Sequence, residues 1–108
     1  MLKQGDIIKV NFNPQKGHEQ AGYRPAVIIS NDFFNAKTNL VIVCPITNTD
    51  NKFPLHIPLQ GKTKTTGVIL CEHVKTLDLT ARQYSFIEKL PKDLLKQVID
   101  IVFSEIEC

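Results

Sequence analysis

Two segments, Pro25–Ile29 and Leu40–Cys44, are apolar at every position. Strand side chains alternate between the two faces of a sheet, so a strand without a polar face needs cover on both sides. A simple antiparallel sheet with one wet face does not supply that. A small barrel buries one face inside itself, and something else must then cover the other. The chain has 108 residues, which is the size of one domain. The cover must therefore come from its own remaining residues or from a second copy.

The remaining residues contain one strong helix. Leu94, Leu95, Val98, Ile99, Ile101, Val102, Phe103 and Ile106 form a stripe roughly 200° wide at about 100° per residue. Pro91 suits the first turn of a helix over Lys92–Ile106, and Asp93 favours its N-terminal dipole. The stripe is wider than one sheet face needs, and the surplus points to a partner subunit. A monomeric barrel with a helical lid is the alternative. Before this helix the chain reads as short strands. Asp6–Phe12 sets Ile8, Val10 and Phe12 on one face. Leu55, Ile57 and Leu59 alternate with His56, Pro58 and Gln60, and the missing N–H of Pro58 suggests an edge strand. Val68–Cys71 and Ser85–Lys89 read as further strands. Ser30, Asn31 or Asp32 can cap a short helix running through Ala36. The expected fold is mainly β, a small antiparallel barrel with a C-terminal helix.

Composition excludes several classes. The net charge of +2 is too mild for a polybasic clamp. No apolar run approaches the ~18 residues of a membrane span, and the N-terminal residues lack a signal-peptide stretch. Cys44, Cys71 and Cys108 are odd in number and far apart, with no CxxC or HExxH motif. Neither a disulfide scaffold nor a zinc site is expected. The reading is a reduced, cytoplasmic protein without metal or cofactor.

Three segments hold the residues suited to chemistry. Gly17-His18-Glu19-Gln20-Ala21-Gly22-Tyr23-Arg24-Pro25 places an imidazole, a carboxylate and an amide between two glycines, with Arg24 entering a strand. Pro25 biases Arg24 to extended backbone. Cys44-Pro45-Ile46-Thr47-Asn48-Thr49 sets the Thr47 hydroxyl at a strand end. Gly67-Val68-Ile69-Leu70-Cys71-Glu72-His73-Val74-Lys75-Thr76-Leu77-Asp78 mixes acid, imidazole and amine after a strand. Arg24 and Arg82 are the only arginines, and arginine forks onto phosphate as lysine cannot. On composition alone, a solvated loop with Arg24 in a surface ion pair and a turn threonine at Thr47 are the better readings. His56 reads as an outward, structural residue of the edge strand.

Taken together the motifs resemble the MazF/PemK family of toxin endoribonucleases from bacterial toxin–antitoxin systems. Gly5-Asp6-Ile7, Asn13-Pro14, the run from Gly17 to Val27, Pro45-Ile46-Thr47, Thr66-Gly67-Val68, Val74-Lys75-Thr76 and Arg82 occur in the family's order. The resemblance implies an SH3-like barrel with a C-terminal helix, acting as a homodimer. It implies metal-independent cleavage of single-stranded RNA within a short recognition sequence, leaving a 2′,3′-cyclic phosphate and a 5′-hydroxyl. It also implies a cognate antitoxin protein that blocks the RNA groove, with operator DNA reached only through that complex. By position, Arg24 and Thr47 form the catalytic pair and His18 contributes. Glu19, Gln20, Lys75 and Arg82 fall where relatives line the RNA groove, and Tyr23 and Phe53 are candidate stacking platforms. The loops 13–22 and 48–54 are expected to set base identity.

The chemistry leaves one assignment open. Attack of a 2′-hydroxyl on its own phosphate gathers charge on phosphoryl oxygens, which a fixed cation and oriented donors stabilise. Arg24 and Thr47 suit that task. A base and an acid are also needed. Arginine is a poor proton carrier because its pKa exceeds ~12, whereas histidine titrates near neutrality. Either Arg24 or His18 moves the protons on this reading. Relatives of the PemK branch place an Arg and an Asp where this chain has Leu70 and Glu72, and the missing Arg favours the MazF-like arrangement. Two rival readings share the barrel. A CcdB-like gyrase-binding toxin would end Trp-Gly-Ile, but this chain has no Trp and ends Ile106-Glu107-Cys108. An inactive partner that only binds antitoxin and operator DNA would not need Arg24 and Thr47.

Overall fold

The β-branched runs of the sequence form a seven-stranded antiparallel sheet in the computed structural model, which describes residues 2–13, 22–49 and 55–107. The strands are β1 (Asp6–Asn11), β2 (Tyr23–Ile28), β3 (Leu40–Thr47), β4 (His56–Pro58), β5 (Val68–Leu70), β6 (Lys75–Asp78) and β7 (Tyr84–Lys89). Two helices complete the fold, α1 (Asp32–Thr38) and α2 (Lys92–Ile106). Of the three candidate caps of α1, Asn31 is used: its side chain accepts the Phe34 N–H at 2.8 Å. Asn39 ends α1 in the left-handed conformation at φ 59°, which asparagine tolerates better than most residues.

β3 organises the sheet. β2 pairs along one edge, while β6 and then β5 share the other. The hydrogen-bonded path runs β4-β5-β3-β2-β1-β7. The expected antiparallel sheet and C-terminal helix are present, but the ladder does not close, because β4 and β7 end the path unpaired with each other. A carboxylate spans part of that gap instead. Glu88 of β7 accepts the backbone N–H groups of Lys64 and Thr65 at 3.1 and 2.7 Å and the Thr65 hydroxyl at 2.8 Å. Burial pushes this carboxyl up, but the bonds from Thr65 and Lys64, with the Lys64 charge, outweigh it and hold Glu88 below the usual carboxylate range.

The two apolar faces find separate covers within one chain. Ile7, Val27, Cys44, Ile46, Ile57 and Ile69 face α2 and pack on Leu94, Val98 and Val102. Ile8, Val10, Phe12, Ala26, Ile28, Val41 and Val43 face the other way, where the curled sheet covers them with Leu77 of β6. Leu94, Val98 and Val102 recur at helical spacing and are buried, each worth about 1.5–3 kcal/mol of transfer free energy. Of the rest of the α2 stripe, Leu95 and Ile101 pack half-buried against the same core, and Phe103 and Ile106 stay open, 63% and 78% exposed. Leu77 is the only buried residue of β6, so this strand carries no periodic signal in the sequence.

Candidate functional site

Strand register assembles the site. Ala26 pairs with Pro45 and Val27 with Cys44. Carrying that register two residues on sets Arg24 opposite Thr47, where cross-strand neighbours sit about 5 Å apart. Across β3, Thr47 pairs with Val68, and Leu70 pairs with His56 on β4. Ile46, Ile69 and Ile57 of these strands face α2. Alternation therefore sends Arg24, Thr47, Leu70 and His56 to the opposite face. There they line one cleft of about 300 Å³ together with Thr49, Glu72 and His73. A second cleft of about 350 Å³ is lined by Arg24, Thr47, Lys9, Tyr23, Asn48 and Thr66, among others. Arg24 and Thr47 belong to both, so the clefts meet at this pair.

Thr47 is held on three sides. The residue is only 7% exposed, and its Oγ1 accepts the Thr49 N–H at 3.2 Å. Accepting that bond leaves the hydroxyl proton able to donate. Gly67 packs against its carbonyl so closely that an added Cβ would lie 2.3 Å from the oxygen. Gly67 has φ +111°, a conformation that glycine adopts without steric cost. Beside them the Thr66 hydroxyl donates to Asn48 Oδ1 at 2.9 Å.

The cleft holds an acid–imidazole cluster. His56 Nε2 lies 2.7 Å from Glu72 Oε2, and His73 Nε2 lies 3.8 Å from the same oxygen. An ionised carboxylate only accepts, so His56 is the donor. The His56 side chain is 5% exposed, and those of Glu72 and His73 are each 27% exposed. This corrects the outward placement of His56, while its burial and its bond to Glu72 fit a structural residue. The side opposite Ile57 and Leu59 is the cleft face and not open solvent. The alternation of His56 with Ile57 carried that signal, but only the pairing with β5 shows what the face meets. Behind the cluster, Cys44 and Cys71 are buried free thiols. A hydrogen bond to Cys71 and burial push the Cys44 thiol far up, which keeps it protonated and inert.

The other expected residues are spread around this centre. Tyr23 is exposed at the rim of the second cleft, with the Lys9 ammonium 5.4 Å from its ring centroid. Lys75 is half-buried on β6 opposite Val43 and lines neither cleft. Arg82 also lines neither, and its Nη1 donates to the carbonyls of Asn11 and Asn13 at 2.8 and 3.0 Å. Those residues close the base of segment 14–21, where Phe12 N–H donates to Gly22 O and Gly22 N–H to Asn13 Oδ1. His18, Glu19, Gln20 and Phe53 lie outside the described residues. Among the described residues, no group of three or more His, Cys, Asp or Glu side chains is arranged to hold a metal ion, and no helix is long and apolar enough to cross a membrane.

The chain as a whole is similar to known proteins. Residues 3–102 match the family model of the PemK-like, MazF-like toxin of type II toxin–antitoxin systems. Endoribonuclease PemK of Escherichia coli is 33% identical over 102 residues, covering 91% of this chain and 77% of the relative. Endoribonuclease toxin MazF of Escherichia coli K12 is 41% identical over 78 residues, covering 72% and 69% respectively. The crystal structure of MazF from Deinococcus radiodurans superposes with a TM-score of 0.92 at 32% identity, over 99% of this chain and 97% of that one. A MazE–MazF complex from the same organism superposes at 0.84 with 32% identity, over 97% and 95%.

Proposed function

Because the chain belongs to the PemK-like, MazF-like toxin family of type II toxin–antitoxin systems, we propose that it is a sequence-specific endoribonuclease whose Arg24 and Thr47 stabilise the charge of the reacting phosphate. The observation that carries this reading is the meeting of the two clefts at Arg24 and Thr47. A single strand running from one cleft to the other crosses the pair. Arg24 offers a fixed charge and a planar donor fork. Thr47 offers a hydroxyl proton aimed by the bond from Thr49. Both are set on strands, so they are oriented before substrate arrives, which is where such donors are most effective.

The ribose 2′-oxygen attacks phosphorus, the P–O5′ bond breaks, and the products are a 2′,3′-cyclic phosphate and a 5′-hydroxyl. One proton leaves the 2′-hydroxyl and one reaches the 5′-oxygen. Tyr23 and Lys9 suit a stacked base and its phosphate at the far cleft. Glu19 and Gln20 supply further recognition groups, and Lys75 and Arg82 add positive charge. The partner is a cognate antitoxin protein, as in the MazE–MazF complex, and the open Phe103 and Ile106 of α2 suit a homodimer. The protein acts in the cytoplasm.

The test is incubation of purified, antitoxin-free protein with long single-stranded RNA in EDTA, beside Arg24→Ala and Thr47→Val. Discrete cuts that both variants lose by 100-fold or more support the reading. No cleavage by folded protein, or full cleavage by Arg24→Ala, refutes it.

A further inference from the structure

The nuclease reading leaves the protons without a carrier among the strand residues. Arg24 holds its proton too tightly, and Thr47 has no titration near neutrality. The cleft they line also holds the side chain of His73, 27% exposed, and an imidazole is suited to proton transfer. We propose that His73 is the proton-transfer residue of the cleavage, taking the 2′-hydroxyl proton, with Glu72 as its positioning and tuning residue and His56 as the buried anchor of Glu72. This inference rests on the nuclease reading and deepens it.

The geometry gives each member one task. His56 is almost wholly buried and donates to Glu72 Oε2 at 2.7 Å, which fixes that carboxylate. The fixed oxygen lies 3.8 Å from His73 Nε2, so its charge favours the imidazolium that forms when His73 accepts a proton. His73 retains 27% exposure and opens onto the cleft that holds Arg24 and Thr47. Other charges bear on the cluster. Arg24 on β2 shares the cleft and opposes the imidazolium. Glu105 of α2 is pushed up by burial first and by the Glu72 carboxylate second, so it lies within reach of the same charge. The Cys44 thiol of β3 stays neutral, held up by its bond with Cys71 and by burial. The step balances: O2′ forms its bond to phosphorus as the proton passes to His73, the P–O5′ bond breaks, and the 5′-oxygen takes up a proton. Water supplies the proton of the 5′-oxygen and the imidazolium gives its proton back to water, so the protons balance.

The test compares pH–rate profiles of kcat/KM on an RNA the wild type cuts, using wild type, His73→Gln, Glu72→Gln, His56→Gln and His18→Gln. Removing the base should cost about 10²–10⁴-fold and abolish a near-neutral limb in His73→Gln. Glu72→Gln should move that limb to lower pH, because a carboxylate charge 3.8 Å from the ring is removed. The C2–H resonance of His73 should titrate lower by the same amount in folded Glu72→Gln, a readout that a merely structural role of Glu72 would leave unmoved. His56→Gln should weaken kcat while the limb remains. A wild type that cleaves while His73→Gln keeps its rate and its limb overturns this proposal and leaves the nuclease reading standing. Loss of the limb in His18→Gln with retention in His73→Gln also overturns it. A wild type that cuts no RNA overturns both.

Discussion

Replacing Gly67 with alanine separates a backbone contact from a backbone angle. Gly67 sits at φ +111°, and its new Cβ would lie 2.3 Å from the Thr47 carbonyl oxygen and 2.7 Å from its carbon. Both are backbone atoms, so no side chain can swing aside. Real Cβ contacts begin near 3.0 Å, so β3 and the turn must part by at least about 0.7 Å, and a shift on the order of 1 Å in a catalytic group costs about 100-fold in rate. The strained φ adds roughly 1–3 kcal/mol of lost stability. Gly61 is the internal control. It has φ +72° with nothing within 4 Å of an added Cβ, so Gly61→Ala carries the angular strain alone. We expect Gly61→Ala to cost about 1–2 kcal/mol, lowering the midpoint by roughly 4–8 °C per kcal/mol, with unchanged cleavage. Gly67→Ala should melt lower still and lose about 10–100-fold in kcat/KM when assayed well below its midpoint. Thermal unfolding by circular dichroism and single-turnover RNA cleavage read the two effects separately. If Gly67→Ala matches Gly61→Ala in stability and keeps its rate within twofold, the packing of Gly67 on Thr47 does not position the hydroxyl.

Three further outcomes follow from particular bonds. Arg24→Lys keeps the charge but loses the fork, and cleavage should fall by about 10²–10³-fold, measured as kcat/KM on one RNA. Glu88→Gln should cost about 1 kcal/mol at pH 7, since the charge-assisted bonds to Lys64 and Thr65 are part-exposed. The folded pKa of Glu88 is depressed, so its stabilisation is present above the ordinary carboxylate value and fades as pH falls through the folded one. Urea unfolding of wild type and variant should therefore differ at pH 7 and converge well below the ordinary carboxylate range. Arg82→Ala frees the carbonyls of Asn11 and Asn13, and hydrogen exchange at the Phe12 and Gly22 amides, which bridge the same base, should quicken by about 10-fold.

Much of this organisation is legible in the residues. The apolar runs Pro25–Ile29 and Leu40–Cys44 demand two covers, and they find α2 on one side and the curled sheet on the other. The helix over Lys92–Ile106 is readable because three buried residues recur at its period. Arg24 and Thr47 stand at strand ends in motifs recognisable by family resemblance, and the β2–β3 register then explains why they meet. What the sequence hid is non-local. β6 buries a single side chain, so no periodicity marks it. His56 alternates away from Ile57, which reads as solvent until β5 and the Cys71–His73 turn are seen to wall that face. Arg82 looks like a groove cation by position, yet its donors reach carbonyls 69 and 71 residues earlier in the chain, a pairing no local pattern encodes. An open ladder spanned by Glu88 is likewise invisible, because Ser85–Lys89 reads as one more strand.

The central claim is attack by a ribose 2′-hydroxyl on a phosphate held by Arg24 and Thr47. It is tested most directly with an RNA carrying one 2′-deoxyribose on the 5′ side of the mapped cut, incubated with wild-type protein in EDTA. The account predicts that this RNA binds, resists cleavage at that bond, and competes with the all-ribose RNA, whose fragments carry a 2′,3′-cyclic phosphate. Cleavage of the deoxy-substituted bond at the normal rate would contradict it.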